Sequence, residues 1–317
     1  ARADAPGRVG FFGEGLLGPT LIVAATEEHK QRFLGPILRS EELWCQGYSE
    51  PDAGSDLANV QTRAVLDGDE WVVTGQKVWT TLAHVADWCF VVCRTNWDVE
   101  SHQGISYLLV PMDQPGVTVR PLRQLTGGAE FNEVFFDGAR TAASNVVGPI
   151  DGGWKIAMTT LGFERGTAFL SRQLEFEREV DTLIEIAQKN GSAADPVIRQ
   201  RLADAYVGVQ IMRYSALRGL TSLALRGEIG PEASIGKLYW SHWHRDFGEL
   251  AMDVLGPWSQ ILPEEGYPNL NEQQNIFLSS RAETIYTGST EIQRNIISER
   301  VLGLPREPRA TATKERR

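Results

Sequence analysis

The residues best suited to chemistry lie in two short segments rich in hydroxyls, with a turn in the first and one indole in the second. Residues 48–57 read YSEPDAGSDL, and residues 77–81 read KVWTT. Hydroxyls can satisfy the polar edge of a flat redox ring, and an indole can cover one of its faces. Each segment alone is typical of a turn or a strand, but the two together predict a ring-binding site on a β framework.

Helical elements are predicted before these segments. Residues 9–40 carry an apolar stripe at helical spacing. Thr26 begins a second, short helix that we expect to run to about Leu34, where Gly35 and Pro36 would end it. The chain begins without Met, and we expect a further helical segment upstream.

The spacing of apolar residues changes from residue 43 onward. Alternating stretches separated by turn residues predict an all-β region over residues 43–148, with a hairpin at Asp67 and Gly68. After residue 152 helical spacing returns and predicts four long amphipathic helices, the last over residues 271–302. The predicted domains are the remainder of a helical N-terminal domain at 1–42, a middle β domain at 43–150, a four-helix bundle at 151–305 and a frayed tail at 306–317.

Composition and charge exclude several classes of protein. The 317 residues carry a net charge of −10, which disfavours nucleic acid or an anionic membrane surface as a partner. No apolar run is long enough to span a bilayer. The three cysteines, Cys45, Cys89 and Cys93, do not form a disulfide framework, so we expect a reducing, cytoplasmic compartment. No metal site is predicted, because Cys89 and Cys93 fit a buried strand, and His242 and His244 fit a polar helix face.

The motifs in combination resemble the acyl-CoA dehydrogenase family. Beside residues 49–56 and 75–81, the stretch 286–294 reads YTGSTEIQR, and 297–305 reads ISERVLGLP. The last stretch resembles members from actinobacterial lipid and sterol catabolism. The resemblance implies an α+β multidomain fold with a truncated α-helical N-terminal part, a middle β-barrel or sandwich domain and a C-terminal four-helix bundle.

The resemblance also implies that the two opening segments bind the flavin ring of FAD. Tyr48 and Ser49 would present backbone groups and a hydroxyl to the pyrimidine end of the ring. Trp79 would cover one face of the ring, and Thr81, next to Thr80, would form a hydrogen bond near flavin N5.

The family removes a proton from Cα and a hydride from Cβ of an acyl-CoA thioester. The usual position of its catalytic carboxylate holds Thr287 here, and threonine is no base at neutral pH. A minority of members place the base as a Glu directly before an Arg on the first bundle helix, which corresponds to Glu164 and Arg165. The resemblance therefore implies that Glu164 is the catalytic base, beside the apolar Leu161 and Phe163.

The remaining contacts are implied by the same motifs. The residues expected to bind substrate are Ser55, Arg165, Tyr286, Thr287 and Gly288, and those expected to bind the rest of FAD are Arg281, Ser289 and Glu291. Two features depart from the family pattern: residues 186–215 lack its Arg-x-Phe-Gly sequence, and Pro257 follows Gly256 where a second Gly is usual. Proline removes an N–H donor. These departures favour a mixed tetramer with a related chain, although a homotetramer stays open.

Three functions remain open. The first is an FAD-dependent acyl-CoA dehydrogenase that forms a trans-2-enoyl-CoA with Glu164 as base and electron-transfer flavoprotein as electron acceptor. The second is a non-catalytic or cofactor-sharing partner subunit of a heteromeric enzyme. The third is a related flavoprotein oxidase. The sequence does not determine the acyl chain, although Gly162 and Gly166 would leave room for a bulky or branched one.

Overall fold

The chain falls into two compact units. The computed structural model describes residues 9–165, 171–226, 230, 233–262 and 271–306. The first unit comprises Ala1–Glu175 with Gln260–Asn275, and the second comprises Phe176–Ser259 with Ile276–Arg317. Gly166 and the predicted tail beyond residue 306 lie outside the described residues.

The first unit combines short helices with a seven-stranded sheet. Its helices are a π-helix Phe12–Leu17, α1 Gly18–Ala24, α2 Glu27–Leu38 and, after the sheet, α3 Gly153–Arg165. Its strands are β1 Trp44–Gly47, β2 Arg63–Asp67, β3 Glu70–Thr81, β4 Trp88–Arg94, β5 Ile105–Pro111, β6 Val117–Leu122 and β7 Phe131–Ala142. The predicted helix-then-sheet order is confirmed.

Helix α2 begins where the sequence predicts but ends later. The Thr26 hydroxyl caps it by accepting the backbone N–H of His29 at 3.3 Å, as expected of an N-cap residue. The predicted stop at Gly35 and Pro36 is wrong, because the helix continues to Leu38. Pro36 removes only its own N–H donor from the helix, which ends two residues later. The next residue, Ile37, is buried in the core, and this burial favours the extra turn.

Strand β4 pairs with three other strands of the sheet. It pairs in parallel with β1 and antiparallel with β5. Strands β2, β3, β7 and β6 follow one another antiparallel, and β2 touches β4 at one position, Arg63 opposite Arg94. The predicted hairpin joins β2 to β3, and the positive φ of 67° falls on Gly68. Glycine accommodates this angle without a steric penalty.

Both faces of β4 are covered. On one side Phe90 packs with the N-terminal helices and α3. On the other side Cys89 and Cys93 pack with residues of β5 and β7. All three cysteines are buried and reduced, so their assignment to buried strands is confirmed. This core fixes β1, which the first opening segment directly follows, and β3, which carries the second.

The second unit contains the later helices of the bundle predicted over residues 151–305, while α3 belongs to the first unit. Its helices are α4 Arg172–Asn190, which begins in the first unit, α5 Pro196–Arg226, α6 Ala233–Leu255, α7 Glu272–Glu283, which also begins there, α8 Thr290–Ile296 and a π-helix Ile297–Val301. The single helical stretch predicted over 271–302 is wrong, because Thr287 and Gly288 adopt positive φ angles of 53° and 94° and interrupt it. Among the residues that the structure describes, no helix has the length and apolarity needed to cross a bilayer.

Candidate active site

The structure brings the two opening segments of the sequence into direct contact. The backbone N–H of Val78 donates to the carbonyl oxygen of Ser49 at 2.9 Å. Tyr48 is buried, with its ring edge-on to Phe90 at 5.9 Å and to Tyr107 at 6.3 Å. Ser49 itself is half-buried. Ser49 is therefore partly accessible to solvent, on a backbone that the core holds in place.

Trp79 lies on an irregularity of β3. The pairing of β3 with β7 shifts register between Lys77 and Thr80, and Trp79 has a φ of 61°. Bulges of this kind redirect side chains, and positive φ in a bulky residue is strained. The indole is 59% exposed and stands edge-on to Phe131 at 6.0 Å. The strand thus presents a large flat ring outward at the cost of local strain.

The two threonines after Trp79 differ in exposure. Thr80 is fully buried, and its carbonyl oxygen accepts a hydrogen bond from the Asn132 amide at 2.9 Å. Thr81 is half-buried. The side chain available for a ligand is therefore that of Thr81, while Thr80 anchors the bulge. Asn132 is a supporting residue that the sequence analysis missed, since nothing local marks an asparagine on a distant strand.

These residues fit the ring of FAD. A flat ring needs one aromatic cover and polar partners at its edge. The exposed indole of Trp79 provides the cover, and the hydroxyls of Ser49 and Thr81 flank the same junction of segments. Tyr48, Ser49, Trp79, Thr80 and Thr81 therefore remain the residues expected to hold the ring.

The proposed base lies at the end of α3. Glu164 and Arg165 form its last two residues, and their side chains lie outside the described part of the structure. One turn earlier, Leu161 packs against the first unit's core. Gly162 is exposed, and a Cβ at this position would meet no atom within 4 Å. Ser55 is exposed in the turn that follows β1.

In the second unit, the segment between α7 and α8 is strained and tightly held. Thr287 has a φ of 53°, and its hydroxyl is buried without a hydrogen-bond partner among the described atoms. Gln293, fully buried, donates its amide to the carbonyl oxygens of Thr287 at 3.3 Å and Gly288 at 3.4 Å. Tyr286 is half-buried beside them. Strained backbone held by buried side chains is typical of functional segments.

The residues expected to bind the rest of FAD have partners within the second unit. Arg281 donates to Glu249 and to the backbone carbonyl of Arg245, and its guanidinium lies 4.6 Å from the Phe277 ring. Arg281 is therefore already engaged within its own unit.

The start of α8 is also capped within the unit. Ser289 accepts the backbone N–H of Ile292 at 3.4 Å. Glu291 is exposed, and hydrogen bonds from its own backbone N–H and from Ser289 lower the pKa of its carboxyl.

His244 departs from its expected place on a polar helix face. It is buried, and its ring nitrogens lie 2.7 Å from Glu283 and 3.0 Å from Glu179. Burial would lower the pKa of His244, but the hydrogen bonds and charges of Glu179 and Glu283 outweigh burial and raise the pKa to about 9. Two carboxylate acceptors require both nitrogens to donate, so the ring is an imidazolium that joins α4, α6 and α7.

Both the β domain and the helical region after it match known protein families. Residues 45–139 match the family model "Acyl-CoA dehydrogenase, middle domain", and residues 151–302 match "Acyl-CoA dehydrogenase, C-terminal domain". The acyl-CoA dehydrogenase IpdE1 of Mycobacterium tuberculosis is 55% identical over 307 residues, which cover 97% of this chain and 78% of that protein.

Two solved structures of heteromeric complexes are also similar. The Tcur3481-Tcur3483 steroid ACAD has a TM-score of 0.87 at 32% identity, over 94% of this chain and 77% of that one. The ChsE4-ChsE5 complex from Mycobacterium tuberculosis has a TM-score of 0.81 at 29% identity, over 96% of this chain and 80% of that one.

Proposed function

The chain belongs to the acyl-CoA dehydrogenase family of oxidoreductases that act on CH–CH bonds, and on that premise we propose that it binds FAD and oxidises an acyl-CoA thioester to the trans-2-enoyl-CoA. The observation that carries this proposal is the exposed indole of Trp79, which projects from a bulge next to the Val78–Ser49 hydrogen bond. An exposed, strained tryptophan has no role in the core, so a ligand is its natural partner.

Each residue of this junction has a distinct task. When bound, FAD supplies the acceptor for the hydride that leaves Cβ of the substrate. Trp79 covers one face of the ring and excludes water from it. The hydroxyls of Ser49 and Thr81 form hydrogen bonds to the polar edge, and the backbone of Tyr48 and Thr80 holds those hydroxyls in position.

We assign proton removal to Glu164. The Cα–H of a thioester is a weak acid, so a carboxylate must approach it closely, and donors must stabilise the enolate. Leu161 packs into the core and so fixes the helix one turn before Glu164. Thr287 has no basic group. Arg165 then orients the helix or meets the CoA moiety, while Ser55, Tyr286, Thr287 and Gly288 contact other parts of the substrate.

The substrate class that we propose is a CoA thioester with a bulky, steroid-derived acyl group. Gly162 leaves open space on α3 two residues before the base, which suits a wide acyl group better than a straight chain. The similarity to the steroid ACAD supports the same choice. Gly162→Val should therefore reduce turnover of a steroid-side-chain CoA ester more than turnover of a short straight-chain ester. Equal loss on both esters would contradict this substrate class.

We further propose that the active form is a mixed tetramer in which a related chain completes the FAD site. Arg281 is already engaged within its own unit, Pro257 lacks an N–H donor, and the similar Tcur3481-Tcur3483 and ChsE4-ChsE5 structures are complexes of two chains. Electron-transfer flavoprotein is the expected electron acceptor. A cofactor-sharing role without catalysis is the second candidate, and the departures at Thr287 and Pro257 favour it.

The test is a visible spectrum of the protein, purified both alone and with its related chain. We expect a yellow protein whose flavin absorbance bleaches without oxygen when the steroid-side-chain CoA ester is added. Glu164→Gln should keep the colour and lose the bleaching, while Glu175→Gln, an exposed Glu on α4, should behave as wild type. Normal bleaching by Glu164→Gln would refute the assigned base.

The same preparations separate the alternatives. A complex that bleaches normally with Glu164→Gln, but not when the partner's base is removed, would establish the non-catalytic role. Rapid oxygen consumption during turnover would instead identify an oxidase.

A further inference from the structure

A buried lysine joins the segments that carry the proposed flavin contacts. Lys77 has no exposed surface. Its ammonium donates to the carbonyl oxygen of Tyr48 at 3.0 Å, to Glu50 Oε1 at 2.8 Å and to the carbonyl oxygen of Val92 at 2.8 Å. A lysine has three N–H donors, so each donor is used. The side chain thus ties β3 to the end of β1 and to β4.

Glu50 is the ion-pair partner of Lys77 and is itself buried. It is 7% exposed. Oε2 accepts the backbone N–H of Gln61 at 2.6 Å, and Oε1 accepts that of Thr62 at 2.9 Å. Burial alone would raise the pKa of Glu50, but Lys77 and the hydrogen bonds to residues 61 and 62 lower it. Glu50 is therefore charged inside the unit, next to Lys77.

The position of the pair in the chain connects it to the ring-binding residues. Glu50 directly follows Ser49, and Lys77 directly precedes Val78, whose N–H donates to Ser49. The strained Trp79 comes next on the same strand. The pair therefore lies directly beside the backbone hydrogen bond from Val78 to Ser49, and it joins the same two segments.

The ion pair at this point satisfies backbone groups that an apolar pair would not. Charged pairs cost desolvation free energy, and well-packed apolar residues often replace them without loss of stability. An apolar pair here would leave the carbonyl oxygens of Tyr48 and Val92 and the N–H groups of residues 61 and 62 without partners, which is costly. What the ion pair adds is a fixed place for the Tyr48 carbonyl.

We propose that Lys77 and Glu50 are positioning residues for the flavin ring, which set the backbone of Tyr48 and Ser49 against the bulge at Val78 and Trp79. This inference rests on the proposed function, since it needs FAD at this junction. The proposal predicts that loss of the Lys77–Glu50 pair weakens FAD binding even in a variant whose fold remains stable.

The test uses the full protein in its assembled form and compares four proteins. They are wild type, Lys77→Met, the double variant Lys77→Met with Glu50→Gln, and Val110→Ala, a control in the buried core of β5. The measurements are the dissociation constant of FAD, the position of the flavin absorption bands, the flavin midpoint potential and the thermal midpoint of the apoprotein.

Lys77→Met should lower the thermal midpoint, because it leaves Glu50 buried and unpaired. It should also weaken FAD binding by about 10- to 100-fold, the range seen when residues that support a metal's ligands are removed. The double variant should recover part of the thermal midpoint and keep the weak FAD binding and shifted bands. Val110→Ala should lower the thermal midpoint with FAD affinity and spectrum unchanged.

Two results would overturn the inference, and they differ in what else they overturn. If wild type holds FAD and the double variant binds it with wild-type affinity, bands and potential, the pair is only structural and the proposed function stands. If the wild-type complex holds no FAD at this junction, the proposed function and the inference both fail.

Discussion

Val78 donates its backbone N–H to the carbonyl oxygen of Ser49 at 2.9 Å. This backbone bond joins segments that are separated in sequence by a turn, a short strand and a hairpin. It lies between the buried Lys77–Glu50 pair and the exposed ring of Trp79. The junction therefore has a rigid, charged interior side and an aromatic, hydroxyl-bearing outer side.

The strain at Trp79 predicts that two substitutions differ in their effect on stability. A Cβ in the left-handed region costs about 1–2 kcal/mol, which glycine avoids. Trp79→Gly should therefore be about 1 kcal/mol more stable than Trp79→Ala, although both lose the indole and both should bind FAD weakly. Chemical denaturation and FAD titration measure the two properties. A less stable glycine variant would show that the bulge is not strained.

The imidazolium of His244 predicts a loss of stability at alkaline pH. Its pKa is raised to about 9 from an ordinary 6.5. Stabilisation by its charged form is thus fully present below pH 6.5 and disappears as the pH rises through about 9. We expect wild type to lose on the order of 1–3 kcal/mol between pH 7 and 10 beyond any loss in His244→Gln.

Denaturant unfolding at several pH values tests this expectation. The matched control is His242→Gln, on the same helix, which should keep the wild-type pH dependence. Parallel pH profiles for wild type and His244→Gln would rule out a charged His244 between Glu179 and Glu283.

The interruption between α7 and α8 predicts a stabilising substitution. Thr287 is β-branched and has a φ of 53°, which is strained. Relief of that strain exceeds the unfolded-state entropy cost of glycine, so Thr287→Gly should gain about 1 kcal/mol. That gain raises the thermal midpoint by about 2–4 °C. Thr290→Gly, on the first residue of α8, should lower the midpoint instead. A lower midpoint for Thr287→Gly would mean that its side chain makes contacts that outweigh the strain.

The buried cysteines predict a simple labelling result. Burial raises the pKa of Cys93 to about 12, and burial together with Cys45 raises that of Cys89. Thiols react as thiolates, so a thiol reagent should modify none of the three cysteines in the native protein at neutral pH. All three should react in denaturant. Rapid labelling of one cysteine before unfolding would contradict the double-sided burial of β4.

Local patterns predicted much of the architecture. Residue spacing predicted that Cys89 and Cys93 lie in a buried strand, and Asp67 and Gly68 predicted the hairpin that the structure contains. Both depend on residues only a few positions apart. The motifs around Ser49 and Trp79 were recognisable for the same reason, and they were enough to predict the family.

Contacts between distant residues were beyond such patterns. The residues next to Lys77 in the sequence do not indicate that its ammonium is buried. The residues next to His244 likewise do not indicate that it lies between two carboxylates from other helices. A charged side chain is expected at the surface unless partners distant in the sequence offset the free-energy cost of its desolvation. The helix break at Thr287 was missed because buried Gln293 holds it from the following helix.

The amino-acid sequence by itself determined the order of elements, the buried strands and the two segments suited to a flat ring, because each depends on local spacing and residue type. Only the tertiary structure decided how those segments meet. The bulge that turns Trp79 outward, the Ser49–Val78 bond and the Lys77–Glu50 pair behind it arise when three strands pack together. Packing alone determines which buried polar groups form hydrogen bonds with one another, and therefore which residues position the site.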